Sequence, residues 1–390
     1  MATSNSHPNI YTLWSTPHSL YSGKVRSYLI KKGIAFRERC SSNPQFKQRV
    51  LPAVGLVVFP ILETPDGKII QDSTDIVEHI EAQSLLPSMT PPTPIQNVVA
   101  LLLDGFGLEG LLQVAMHYRW SYRKEQEHFL RAEFGRGMYA GPDREKRLAT
   151  GEKIMGYFNS FLPVLGVTPE TIPAIESAYV ELLDVLDIHF QHYPYLLGRH
   201  PSIADFGFMA PMFAHLGRDP YPASLMKNLA PNVYRWVERM NLANISDGEY
   251  PEGEDTWLAN DAIPETLEPV LALLFRDWGS QLRADAKHFN AWLESSPSFP
   301  AGQLVNVNEE RKVHPTLGLV EYEWRGCKVR RASAVHCLWL FDKALAAANE
   351  LSGDARSRFA ELVHRNSGEE IMAIRLNRKM ERQKNVLVLR

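Results

Sequence analysis

Apolar and polar positions first alternate and then cycle near the start of the chain. Asn9 to Trp14 (NIYTLW) predicts a buried strand. In GKVRSYLIKKG, Val25, Leu29 and Ile30 fall on one side of a helical wheel and Lys24, Lys31 and Lys32 mostly on the other. That spacing predicts an amphipathic helix with Gly33 as its stop. Ile34 to Arg39 predicts a second strand, so strand, helix and strand imply a right-handed crossover. Further on, Val57 to Glu63 and Lys68 to Ile70 flank the turn Pro65-Asp66-Gly67 and predict a hairpin. Asp72, Ser73 or Thr74 can cap the helix expected over Ile76 to Ala82.

From Leu85 to Gln96 the pattern stops. This stretch has four prolines and no amphipathic spacing, which predicts a linker. Between about residues 97 and 245, apolar spacings of three and four recur without a convincing strand, which predicts an all-helical domain. Asn244 to Thr266 is acidic and rich in turn formers, a boundary. Beyond it the reading is helical to about Glu294, then irregular. LGLVEYEWRGCKVRR predicts a hairpin around Arg325-Gly326, with Val320, Tyr322 and Trp324 on one face and Glu321 and Glu323 opposite. A strong helix follows in ASAVHCLWLFDKALAAANEL, and the tail is basic. The domains expected are therefore 8–84, a linker at 85–96, then 97–245 and 246–390.

Composition narrows the class. The chain has 390 residues, 45% of them hydrophobic and 22% charged, enough for two or three soluble domains. A formal charge of −3 gives no electrostatic reason to expect nucleic acid or an anionic membrane as partner. No apolar run near twenty residues is evident, so no membrane span is expected. Three cysteines are too few for a disulfide framework and fit a reducing compartment. The N-terminus lacks a secretory pattern, and the expected location is cytoplasmic.

Three places could carry chemistry. Ser15, Ser19, Ser22 and Tyr21 crowd their hydroxyls around the mouth of the first helix, beside Lys24 and Arg26. Pro60 interrupts an apolar strand: it either marks an edge strand or, with a cis bond after Phe59, leaves the Phe59 backbone free to pair with an extended peptide. Gln71-Asp72-Ser73-Thr74 opens a helix, where N–H groups and the helix dipole can receive a carboxylate or can simply be capped.

In this order, these features resemble the thioredoxin-like N-terminal domain of cytosolic glutathione transferases. The linker and helical domain are similar too, as is Gly198-Arg199-His200-Pro201-Ser202-Ile203-Ala204-Asp205, where Ser202 and Asp205 can form the structural capping box of that family's second domain. The resemblance spans roughly residues 8 to 245. It implies a thioredoxin-like α/β domain plus an all-α domain, here with an α+β extension.

The resemblance also implies roles. Set on Lys24-Val25-Arg26, the serine and cysteine classes of the family place Ser19 at the active position, with Ser22 as the nearest rival and Ser15 and Tyr11 weaker. The hydroxyl would donate to the sulfur of the co-substrate glutathione and favour its thiolate. Phe59, next to Pro60, would pair with the cysteinyl backbone, Ser73 would hold the γ-glutamyl carboxylate, and Asp72 would lie nearer the amine. Lys47, Gln45, Gln48 and Arg49 all qualify for the glycyl carboxylate. The implied function is glutathione conjugation, or glutathione-dependent lyase or dehalogenase chemistry, on a small apolar electrophile in a cytoplasmic homodimer. The alternative is a non-catalytic binding or assembly protein on the same fold.

Other signals read as structure. Gly105-x-Gly107-x-x-Gly110 has a dinucleotide-like spacing but lies in a helical region, where close helix packing explains it better. His189 and His192 lack the companions of a zinc site, so no metal is expected. Met116 to Lys124 suits a half-buried helix face better than a substrate pocket. No Cys-x-x-Cys supports disulfide reduction. The extension has no counterpart in ordinary relatives; its tryptophans 257, 278, 292, 324 and 339 predict tight packing, and if it covers the cleft it would restrict substrate size.

Overall fold

The first strand, β1 (Tyr11–Trp14), is the hub of a four-stranded sheet in the order β2-β1-β3-β4. The computed structural model describes residues 10–296, 298–308, 311–312 and 314–390, so Pro8 and Asn9 of the expected domain lie outside the described residues. After β1 come α1 (Leu20–Lys31) and β2 (Phe36–Arg39), and β2 runs parallel to β1 with Tyr11 opposite Phe36. A π-helical turn at Phe46–Val50 leads into α2 (Leu51–Val54). Then β3 (Ile61–Glu63) pairs antiparallel with both β1 and β4 (Ile69–Gln71), and α3 (Ser73–Gln83) completes the unit.

The boundaries differ from the expected ones for local reasons. Pro60 has no N–H for the ladder, so β3 starts at Ile61 instead of Val57. The Asp72 carboxylate accepts from the Thr74 N–H at 2.8 Å, so α3 nucleates at Ser73 and not at Ile76.

The two-faced reading of α1 is corrected. Lys24, Lys31 and Lys32 are all buried, because α1 is sandwiched between the sheet unit and the helical region. Each ammonium has partners: Lys24 with Thr74 and Asp104 at 3.2 and 2.8 Å, Lys31 with Tyr195 and the Asn244 carbonyl, and Lys32 with Glu81 and the Pro87 carbonyl. Burial pushes the Lys31 amine down to about 8.

Helix α4 (Pro94–Gly105) already begins within the expected linker. The Asp261 carboxylate holds its opening, accepting from the Ile95 and Gln96 N–H groups at 2.8 Å each. A π-helical turn at Phe106–Gly110 joins α4 to α5 (Leu112–Trp120). The whole stretch Pro94–Trp120 is long and apolar enough to cross a membrane by length and composition, which the sequence reading had not expected. However, 83% of its most apolar window is buried inside the protein, as in a core helix. Around it stand α6 (Arg123–Met138), α7 (Arg144–Asn159), α8 (Ile172–His192), α9 (Ile203–Ala214), α10 (Pro220–Leu229) and α11 (Pro231–Met240). At the start of α9 the Asp205 carboxylate accepts from the Ser202 N–H at 2.9 Å and from the Ser202 hydroxyl, and also from Leu196 and Trp236.

The C-terminal part contains α12 (Glu268–Leu273), α13 (Gly279–Ser295), the hairpin β5 (Leu319–Trp324) and β6 (Cys327–Ala332), α14 (Val335–Glu350), α15 (Gly353–Arg365) and α16 (Glu369–Met372). Arg325 and Gly326, with φ of 47° and 74°, form the tight turn of the expected hairpin. A second hairpin, β7 (Met380–Gln383) and β8 (Val386–Leu389), lies in the basic tail and was not expected. Trp278 and Trp339 are buried; α14 packs on α4, so this part shares one hydrophobic core with the helical region.

Candidate functional site

The loop from Trp14 to α1 is held from three sides. Ser15 is buried and bonded to Glu38, and Arg26 donates to both residues, so Ser15 and Arg26 are tied to each other rather than to a crevice. The buried Arg119 guanidinium donates to the His18 carbonyl at 2.7 Å, to the Ala214 carbonyl, and twice to Asp219. Met116, His117, Tyr118, Arg119 and Trp120 are all buried, so this stretch belongs to the interior and supports the loop from behind.

Ser19 is the N-cap of α1, half-buried, with no hydrogen bond from its side chain to the helix N–H groups. Its oxygen instead accepts from the Ser22 hydroxyl at 2.8 Å, and Ser22 is fully buried. In that pair the Ser19 proton remains free to be donated elsewhere. Tyr11 opens β1, at the opposite end of the strand from this loop, and its position pairs with Phe36 on β2. The structure therefore brings Ser19 and Ser22 together and leaves Tyr11 apart.

The Phe59–Pro60 bond is cis. Phe59 is half-buried against Phe46, and neither its N–H nor its C=O is bonded among the described residues. Lys47 and Gln48 lie exposed on the π-helical turn, while Gln45 pairs with Arg39 and Arg49 with Glu63.

At the opening of α3, Asp72 has a φ of 92°, in the left-handed half of backbone space. Its Oδ1 caps Thr74 and Asp75. Ser73 beside it is buried, and its hydroxyl has no partner among the described residues. An unbonded buried hydroxyl at a helix N-terminus is costly and is satisfied by an anionic acceptor.

The second oxygen of Asp72 faces the C-terminal part. His336, in the first turn of α14, places Nε2 at 3.2 Å from Asp72 Oδ2 and Nδ1 at 3.0 Å from Glu109 Oε1. Arg382 on β7 approaches the same Oδ2 at 3.6 Å and donates to Asp75 at 2.8 Å and to Gln71 at 2.5 Å. Tyr21 donates to Glu109 at 2.9 Å, with the rings of His336 and His314 near it. Burial alone would raise the Asp72 carboxyl, but Arg382 and the His336 bond outweigh it and hold it far below the usual range. Burial alone would likewise lower His336, but Asp72 and Glu109 hold it up at about 9, as an imidazolium. Asp75 is pushed up to about 6 by burial and by Asp72 beside it.

Tyr21, Glu109, His336 and Arg382 were not picked out as site residues from the sequence. Tyr21 and Glu109 sat inside stretches already singled out, the hydroxyl cluster and the glycine run. His336 and Arg382 lie 264 and 311 positions from the residues they bond, Asp72 and Gln71, and no local pattern marks such pairs.

Two cavities lie nearby. One, of about 160 Å³, is lined by Lys24, Thr74, Asp104, Leu340 and Lys343; the other, of about 20 Å³, lies among Phe106, Gly110, Leu182 and Tyr322. Neither is lined by Ser19, Phe59 or Ser73. The remaining sequence signals are internal. Gly105, Gly107 and Gly110 face Trp278, Phe106 and α9. His189 is buried and bonded to Thr266 and to the Tyr195 carbonyl.

Residues 13–88 match the family described as Glutathione S-transferase, N-terminal domain. No curated protein matches the chain. Among solved structures, it is similar to Gtt2 from Saccharomyces cerevisiae, at 19% identity over 60% of this chain and 97% of that one, with a TM-score of 0.34. It is similar to a glutathione S-transferase from Methylobacterium radiotolerans, solved in complex with glutathione sulfonate, at 17% identity over 64% and 100%, TM-score 0.35. A glutathione transferase from Phanerochaete chrysosporium aligns at 14% identity over 60% and 96%, TM-score 0.40. The sheet with its crossover and the helix that Asp72 opens agree with the matched segment: residues 13–88 match a glutathione S-transferase N-terminal domain and fold as a thioredoxin-like α/β unit, which a mostly helical region follows.

Proposed function

We propose that this protein binds glutathione, ionises its thiol and directs the sulfur at a small apolar electrophile. The reading rests above all on Ser73, whose buried hydroxyl waits without a partner at the opening of α3 and suits the γ-glutamyl carboxylate. Phe59, next to Pro60, offers a free backbone N–H and C=O for the cysteinyl part, and Asp72 lies where the amine would come. Lys47, with Gln48, is the exposed candidate for the glycyl carboxylate.

Ser19 is the proposed thiol partner. Ser22 donates to its oxygen, which leaves the Ser19 proton for the sulfur. The thiol proton departs to solvent, and the thiolate is stabilised by that hydrogen bond and by the opening of α1. The sulfur then forms a carbon–sulfur bond as a leaving group departs with its electron pair, or it adds to an electron-poor double bond, whose displaced electron pair takes a proton from solvent. Ser22 and Tyr11 remain the rival hydroxyls, Tyr11 being the more distant. Conjugation and lyase or dehalogenase chemistry share this step. The domain limits at 84, 97 and 245, the cytoplasmic location and the homodimer belong to the same proposal.

A second reading, a non-catalytic binding or assembly protein, is favoured by one observation: His336 and Arg382 already engage Asp72. Glutathione-induced thermal shift, followed by ultraviolet thiolate absorbance of the complex, separates the two. Binding with a thiolate at neutral pH supports the transferase; absence of binding supports the module.

A further inference from the structure

Asp72 has one oxygen committed to capping α3, so only Oδ2 can meet a ligand cation. Two cations from the far end of the chain already stand on that oxygen, His336 at 3.2 Å and Arg382 at 3.6 Å. Arg382 also donates to Asp75 and Gln71, so its guanidinium spans the opening of α3.

We propose that the C-terminal segment is a built-in competitor for the ammonium subsite, and that glutathione enters when the Arg382 guanidinium swings off the opening of α3. This rests on the glutathione reading above.

The two cations are held differently. His336 sits on α14, whose Cys337, Leu338, Trp339, Leu340 and Phe341 are buried in the main core, so it stays in place. Arg382 sits on a two-stranded hairpin whose Met380, Leu387 and Leu389 are buried in the same core, so the strands stay in place too, and it reaches Asp72 only through its long side chain. That hairpin is joined to its surroundings by the Leu304–Val388 bridge, the Gly302 and Val305 bonds to β8, the bond from Leu389 to Gln303, and single contacts such as Asn385 to the Val54 carbonyl at 3.4 Å. A long side chain held by polar contacts exchanges them with a charged ligand without any movement of the strands that carry it. With Arg382 withdrawn, the Asp72 Oδ2 regains capacity for the ligand's ammonium while His336 still balances Glu109.

The full-length protein and its Arg382→Ala and Arg382→Lys variants test this with two probes, glutathione and its desamino analogue, by titration calorimetry. A site that is open a tenth of the time binds about tenfold more weakly than one that is always open. Arg382→Ala is therefore expected to bind glutathione about tenfold more tightly, with a smaller gain for the desamino analogue, which has no ammonium to place. Arg382→Lys, which keeps a cation, stays near the parent. In the parent, amide exchange across β7 and β8 stays unchanged when glutathione is added, since only the Arg382 side chain moves. Unchanged or weaker glutathione binding by a folded Arg382→Ala overturns the competitor and leaves the glutathione reading standing. Absence of glutathione binding by all three proteins overturns both.

Discussion

Gly107 meets Gly207 backbone to backbone: a Cβ added at Gly107 would lie 2.5 Å from the Gly207 carbonyl carbon, and one added at Gly207 would lie 2.6 Å from the Asp104 Cα. The contact lets the π-helical turn after α4 pass against α9 without side chains between them. Gly107→Ala is expected to lower stability by roughly 1–3 kcal/mol, measured by urea denaturation, since neither backbone can move without disturbing the core. Unchanged stability would refute the close approach.

Arg119 and Asp219 form a buried pair that also holds the His18 carbonyl. Burial pushes the Asp219 carboxyl up, against the pull of Arg119. Removing the cation strands that carboxylate, so Arg119→Ala is expected to cost about 3–5 kcal/mol and to loosen the loop before Ser19. Thermal unfolding checks the first effect; the second appears as a higher thiol pKa in the glutathione complex.

Ser19→Ala is expected to raise the pKa of bound glutathione by about 1–2 units, the worth of one hydrogen bond to a charged acceptor. Ser22→Ala should raise it less, since Ser22 acts only by orienting the Ser19 hydroxyl. Thiolate absorbance against pH measures both. An unchanged titration in Ser19→Ala transfers the role to another hydroxyl.

Ser73→Ala separates binding from stability. The hydroxyl has no partner among the described residues, so its removal should leave the melting temperature unchanged or slightly higher. Glutathione affinity should fall about tenfold or more, by the loss of a charge-assisted bond. A parallel loss of stability would show that the hydroxyl serves the fold instead.

The His336 imidazolium gives stability a pH signature. Asp72 and Glu109 face it directly, Tyr21, His314 and Trp339 line it, and Arg382 shares Asp72. Its pKa is raised in the folded state to about 9. The contribution is therefore fully present below the unfolded histidine value near 6.5 and is lost as pH rises through about 9, on the order of 3 kcal/mol in all. Chemical denaturation between pH 6 and about 10 should show this loss in the parent and a flatter profile in His336→Gln.

The N-terminal unit was legible because its signals are local. Gly33, with φ of 71°, ends the first helix, and Asp72 starts α3 through bonds spanning two or three residues. The capping role of Asp205 and the turn at Arg325-Gly326 are equally short-range. Periodicity misled where burial is two-sided: Lys24, Lys31 and Lys32 looked like a solvent face, yet each is buried against a partner on another element.

Residue order by itself therefore determined most of the elements, the caps at Asp72 and Asp205, the turn at Arg325-Gly326 and the hydroxyl loop, since these depend on backbone sterics and on bonds within a few residues, whereas the start of α4 and the β7–β8 hairpin did not show in it. Only the tertiary structure decided that Ser22 donates to Ser19, that Ser73 is buried without a partner, and that His336 and Arg382 meet Asp72. The last two join residues hundreds of positions apart, and their strength comes from burial, which exists only once the core has closed around them.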